Sequence, residues 1–134
     1  MDKRQMRITW NKNNWEKPSG HPWKKESQGN KNVPYENQYG FGHEEWLFNP
    51  RYRLNGFQYG FIRGVEKASI ENEMIDEVYL YTKDPSNNYF LVGILKNVFR
   101  LNKKEQKNII NNLFKKHIDA AIDELKEVNG DINE

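Results

Sequence analysis

The sequence predicts a single small α+β domain, and three features carry that expectation. Residues 76–95 read as a β-hairpin, residues 102–128 place apolar side chains at helical spacing, and Gln5 to Trp10 alternate as a first strand. A chain of 134 residues has room for one domain of ordinary size and not for two. That domain is expected to span residues 1–130. The polar tail 131–134 suits the edge of an expressed fragment, with more protein beyond it.

The first strand rests on Met6, Ile8 and Trp10, which recur with period two. Asn11 to Gln38 is rich in Asn, Lys, Gly, Ser and Pro, so it reads as a long loop punctuated by Pro18-Ser19-Gly20, Pro22 and Pro34. Ordered loops of that length are usually functional. Tyr39-Gly40-Phe41-Gly42 suggests a sharp turn or a close backbone approach, and Glu44 to Phe48 fits a short helix or a strand equally. Asn55-Gly56 marks a turn, after which Phe57, Tyr59, Phe61 and Val65 predict another strand.

In the hairpin, Val78, Leu80 and Thr82 share one face, and Tyr79 and Tyr81 the other. Asp84-Pro85-Ser86-Asn87-Asn88 is its turn, Tyr89 to Leu95 its second strand, and Gly93 signals a bulge or close packing. Asn102 with Glu105 forms a capping box that starts the helical segment. The segment is either one long helix or two broken near Lys116, and Gly130 suits its stop.

Composition narrows the function. Cysteine is absent, which removes disulfides, thiolate nucleophiles and thiolate-ligated metals. No apolar run approaches the roughly 20 residues of a membrane span, and the first residues lack a signal-peptide core. No membrane association and a cytoplasmic location are the default expectation. With 36% hydrophobic residues and a mean hydropathy of -1.04, the core must be lean; 13% aromatic residues compensate. The net charge of +2 is uneven, because residues 1–67 carry 12 Lys and Arg against 7 Asp and Glu. A basic, aromatic N-terminal half hints at a polyanion.

Four tryptophans, Trp10, Trp15, Trp23 and Trp46, fall within 37 positions. Indole rings stack on nucleobases and line cages for methylated groups, or they pin a loop to a small core. Trp10 is the best core candidate, and Trp15 and Trp23 the best candidates for exposure. His43, Glu44 and Glu45 form the one compact polar cluster in aromatic sequence. They fit a general base with a carboxylate partner, a ligand reader, or a Glu45 that satisfies backbone N–H groups of the preceding glycine turn. No HExxH, EF-hand or P-loop pattern accompanies them, so neither a metal nor another cofactor is expected. Lys12, Lys24, Lys25, Arg51, Arg53 and Arg63 surround the zone and suit phosphate contacts.

The strand Arg7-Ile8-Thr9-Trp10 with Asn14-Trp15, the stretch Tyr39 to Phe48, and the hairpin Val78-Tyr79-Leu80-Tyr81 with Phe90-Leu91-Val92-Gly93-Ile94 together resemble the PUA-like superfamily, which includes EVE, YTH and ASCH domains. Tyr39 to Phe48 is also similar to N-terminal segments of bacterial proteins that restrict modified DNA. The resemblance implies a small curved, mostly antiparallel sheet or partly closed β-barrel with a C-terminal helical segment. It further implies a module that reads a modified, methylated base, serving restriction or phage defence, with DNA ahead of RNA as partner. The implied base pocket is Trp15, Trp23, Tyr39, Phe41, His43, Glu45 and Trp46, and the binding is non-catalytic. Two alternatives remain: a small metal-dependent nuclease or hydrolase centred on His43-Glu44-Glu45, and a protein-interaction module.

Overall fold

The computed structural model describes residues 1–20, 43–67 and 74–128. Its main sheet has three strands, β1 (Lys3–Arg7), β4 (Met74–Lys83) and β5 (Tyr89–Phe99), in the order β1-β4-β5. Between β1 and β4 come 3₁₀ turns at His43–Trp46 and Pro50–Tyr52, a two-stranded ribbon of β2 (Arg53–Leu54) and β3 (Phe57–Gln58), and the helix α1 (Arg63–Lys67). The chain then runs through α2 (Lys103–Ile109), a wide π turn at Ile110–Phe114, a 3₁₀ turn at Lys115–His117, and α3 (Ile118–Glu127). No helix among the described residues is long and apolar enough to cross a membrane.

The α+β class is as expected, but the sheet is mixed and forms no closed barrel. β1 runs parallel to β4 with Gln5 opposite Tyr79 and Met6 opposite Leu80, and β5 runs antiparallel to β4. The ribbon β2-β3 stands as a separate sheet. Among the described residues three strands are too few to curl closed, and β1 and β5 are the outer strands of the sheet.

The hairpin extends the predicted one at both ends. Asp84 closes its turn, its Oδ1 accepting from the N–H groups of Ser86 and Asn88 at 2.9 Å each. A register shift after Leu80 moves the partner from Gly93 to Leu91, so Val92 is the extra residue of a bulge beside Gly93. Val78, Leu80 and Thr82 face inward and are fully buried. The Thr82 hydroxyl is satisfied there, donating to the Ile8 carbonyl at 2.9 Å. Met6, Ile8, Trp15, Leu47, Val65 and Ile75 complete the core with Val78 and Leu80. Burial of each Leu- or Ile-sized side chain contributes about 1.5–3 kcal/mol.

Two expectations are corrected. The first strand ends at Arg7 with Met6 as its buried residue, Ile8 is buried just beyond it, and Trp10 is only half-buried. The strand expected from Phe57 to Val65 lasts two residues and then gives way to α1. Phe57 and Phe61 are 52% and 45% exposed, so the alternating pattern there has no core to face. The helical segment takes the second of its two expected forms, broken near Lys116 by the 3₁₀ turn Lys115–His117. Its predicted capping box is present, with Asn102 Oδ1 accepting from Glu105 N–H at 2.8 Å and Glu105 Oε1 from Asn102 N–H at 3.0 Å. Gly130 and the tail 131–134 lie outside the described residues.

Candidate functional site

The short turn His43–Trp46 spends its two carboxylates on backbone. Glu44 Oε1 accepts from the N–H and hydroxyl of Thr9 at 2.9 and 3.2 Å, and its Oε2 accepts from Arg63 N–H at 3.2 Å. Glu45 is fully buried, and its Oε1 accepts from Asn11 Nδ2 at 2.9 Å and from the N–H and hydroxyl of Ser19 at 3.1 and 3.2 Å. A buried carboxylate is tolerated only with such donors around it. Glu45 is therefore a structural side chain whose partners are Asn11 and Ser19; the glycine turn expected to hold it, at Gly40 and Gly42, lies outside the described residues.

Asn11 continues the network. Its Oδ1 accepts from the N–H groups of Asn13 and Trp15 at 2.7 and 2.9 Å, and its Nδ2 also donates to the Lys17 carbonyl at 2.8 Å. Asn14 and Trp15 both take positive φ, 56° and 57°, which is strained for a residue as bulky as Trp. Three bonds hold it there. Trp15 N–H meets Asn11, its Nε1 donates to the Thr9 carbonyl at 2.8 Å, and its carbonyl accepts from Phe48 N–H at 2.8 Å. The ring is 6% exposed and meets Phe48 edge-on at 6.4 Å. Trp15 is thus a core side chain. The expectation that it stands exposed fails because its indole N–H found a backbone partner within the fold.

Trp46 and Arg51 converge on α3. The Trp46 indole donates to Glu124 Oε1 at 3.0 Å, and Arg51 Nη2 forms an ion pair with the same oxygen. The Arg51 guanidinium lies 5.1 Å from the centre of the Tyr52 ring. Tyr52 stacks on Phe114 at 4.7 Å and 18°, and Phe114 meets Phe61 at 5.2 Å. Nearby, Gln58 Nε2 donates to the Asn49 carbonyl at 2.8 Å. Two buried side-chain atoms of this stretch lack hydrogen-bond partners: Arg51 Nε, a donor, and Gln58 Oε1, an acceptor on the β2-β3 ribbon. Burial draws the Arg51 guanidinium down, but hydrogen bonds with Glu124 and Tyr52 outweigh it and leave its pKa above the ordinary value. Burial also raises the Tyr52 phenol, which Arg51 opposes and Glu124 reinforces.

Among the residues expected at the site, the structure places Trp46 and Arg51 together. It puts Trp15 and Glu45 in the interior and leaves Lys12, Arg53 and Arg63 exposed. Trp23, Lys24, Lys25, Tyr39 and Phe41 lie outside the described residues, as does the His43 side chain. The described residues hold no group of three or more His, Asp or Glu side chains arranged to bind a metal ion. Sequence reasoning missed Glu124, Gln58 and Phe114. Phe114 carried a signal in its helical periodicity, whereas a lone Glu on a charged helix face carried none.

Comparison with family models, with curated proteins and with solved structures gives no match for this chain.

Proposed function

We propose that this chain is a nucleic-acid-recognition module, and that it receives a base of DNA at the cluster of Trp46, Arg51, Tyr52 and Gln58. One observation carries the reading: two buried side-chain atoms, the donor Arg51 Nε and the acceptor Gln58 Oε1, have no hydrogen-bond partner, and the Arg51 guanidinium lies against the Tyr52 ring. Buried polar atoms are normally satisfied, so such a pair is a place for a ligand that offers the reverse pattern. A nucleobase edge does, and its flat face suits the Trp46 indole. An exocyclic amine that carries one methyl group still keeps one N–H for Gln58. The similarity of residues 39–48 to segments of modification-dependent restriction proteins therefore favours a methylated base. Both orphan atoms are covered, so the base enters only after Glu124 releases Arg51 and Trp46.

The reading also draws on how the polar cluster is used. Glu44 and Glu45 are occupied by Thr9, Arg63, Asn11 and Ser19, which leaves the nuclease alternative without free carboxylates of its own at that turn. The test is fluorescence anisotropy with matched methylated and unmethylated DNA duplexes at two salt concentrations. Tighter binding of the methylated duplex is expected, with discrimination lost in Arg51→Ala and Gln58→Leu and overall affinity raised in Glu124→Ala. Equal binding of both duplexes by the unaltered chain overturns the base-reading proposal.

A further inference from the structure

The face of the main sheet turned away from the core is a second surface with its own chemistry. The register puts Gln5, Tyr79 and Ile94 in one row across it, and Arg7, Tyr81 and Leu91 in the next. Flanking rows add Lys3, Glu77 and Lys96 at one end, and Lys83 with Tyr89 at the other. Contacts within the face agree with this placement. Tyr81 and Tyr89 rings lie 6.2 Å apart, Lys83 Nζ lies 5.5 Å from the Tyr89 ring, and the Tyr79 hydroxyl donates to Glu77 at 2.6 Å.

The face is open. Tyr89 is 62% exposed, Leu91 59% and Ile94 45%, an unusual amount of contiguous apolar surface for a chain of mean hydropathy -1.04. In the rows named, Lys3, Arg7, Lys83 and Lys96 are basic and Glu77 acidic, and the neighbouring Asp76 carboxylate accepts from the Asp2 N–H at 2.7 Å. The Glu77 carboxylate is already engaged by Tyr79 and by Lys3 at 3.8 Å.

We infer that this face binds single-stranded DNA. Tyr79, Tyr81 and Tyr89 on this face supply stacking surfaces for successive bases, and the cations around them supply phosphate contacts. Stacking accepts any base, so the surface holds a strand without reading its sequence. A duplex buries its bases and offers the tyrosines nothing to stack on. The inference is independent of the base site at Arg51, because the two share no residue.

The experiment uses the full chain and a fluorescein-labelled 20-mer of thymidine, titrated at 50 and 200 mM NaCl. Expected are micromolar binding at the lower salt, a steep loss at the higher, and weakening of about 10-fold in Tyr89→Ala and in Tyr81→Ala. Tyr81→Phe keeps the ring and retains binding, and Arg7→Glu weakens it. Tyr89 is exposed enough that its removal leaves the fold intact, so a folding defect in Tyr81→Ala does not remove the test. No binding at 50 mM NaCl, or equal binding by the Tyr89→Ala chain, overturns the inference. So does tighter binding of a uridine 20-mer, or a dimer in sedimentation that Leu91→Asp dissolves, which would give the face to a second copy. Discrimination of methylated duplexes is read separately on Arg51→Ala, so the two proposals fail independently.

Discussion

Glu45 holds Ser19 from both sides of that residue's chemistry: one carboxylate oxygen accepts the Ser19 backbone N–H and its hydroxyl, across a separation of 26 residues. The same oxygen takes the Asn11 amide, so the start of the long loop is pinned to the turn His43–Trp46. Removing the acceptor strands these donors in the interior. Glu45→Ala is expected to destabilise the fold by about 2–4 kcal/mol, the range for buried polar groups left unpaired around a lost charge. Urea unfolding checks it. A change under 1 kcal/mol would mean that water satisfies the donors and that the network is dispensable.

This network shows where the sequence stops being legible. The hairpin, the capping box and the Asn55-Gly56 turn were readable because each is local: alternation, spacing and φ preference act within a few residues. Asn55 and Gly56 do take positive φ, 51° and 82°. Trp15 was misread because its polar neighbours suggested solvent. Asn11 and Thr9 are polar, yet they serve to bury it through Asn11 Oδ1 and the Thr9 carbonyl. Glu124 was invisible for a related reason. It meets Trp46 from 78 positions away, and no spacing rule reaches that far. The parallel pairing of β1 with β4 is likewise a tertiary choice that strand patterns do not encode.

Close approach makes one glycine informative. A Cβ on Gly60 would sit 2.7 Å from Leu47 Cδ1, inside van der Waals contact with a core side chain that is 4% exposed. Gly60→Ala must push Leu47 out of place, at an expected cost of about 1–3 kcal/mol. Gly93→Ala is the control, since its nearest contact is Phe48 Cζ at 3.9 Å. Paired denaturant titrations should separate the two variants by at least 1 kcal/mol.

Tyr52 gives the alkaline limb of stability. Its phenol is raised above the ordinary value of 10.0, first by burial, so the folded chain prefers it protonated. A group with a raised folded pKa contributes fully below its unfolded value and loses that contribution as pH rises through the folded one. Stability owed to Tyr52 is therefore flat up to about pH 10 and falls above it. Tyr52→Phe keeps the stack on Phe114 and removes the titrating hydroxyl. Thermal unfolding between pH 8 and 11 should show a shallower alkaline decline in the variant; parallel curves would contradict this assignment.

Glu124 joins stability to binding. Its Oε1 accepts from Trp46 and from Arg51, and α3 is further tied by Lys17 to Glu127 at 3.5 Å. The Lys17 pair is exposed on both sides and contributes little, so Glu124, beside the buried Leu125, is the polar contact that ties α3 to the cluster. Glu124→Ala leaves Arg51 largely buried without its counter-ion and is expected to cost about 2–3 kcal/mol. Amide exchange should quicken first along Ile118–Glu127, with the hairpin protected, because the sheet core shares no side chain with this contact. Tryptophan emission should shift to the red as Trp46 loses its partner. If exchange instead rises uniformly, α3 and the sheet unfold as one unit. A base could then not displace the helix alone, which is the movement that binding at Arg51 and Gln58 requires.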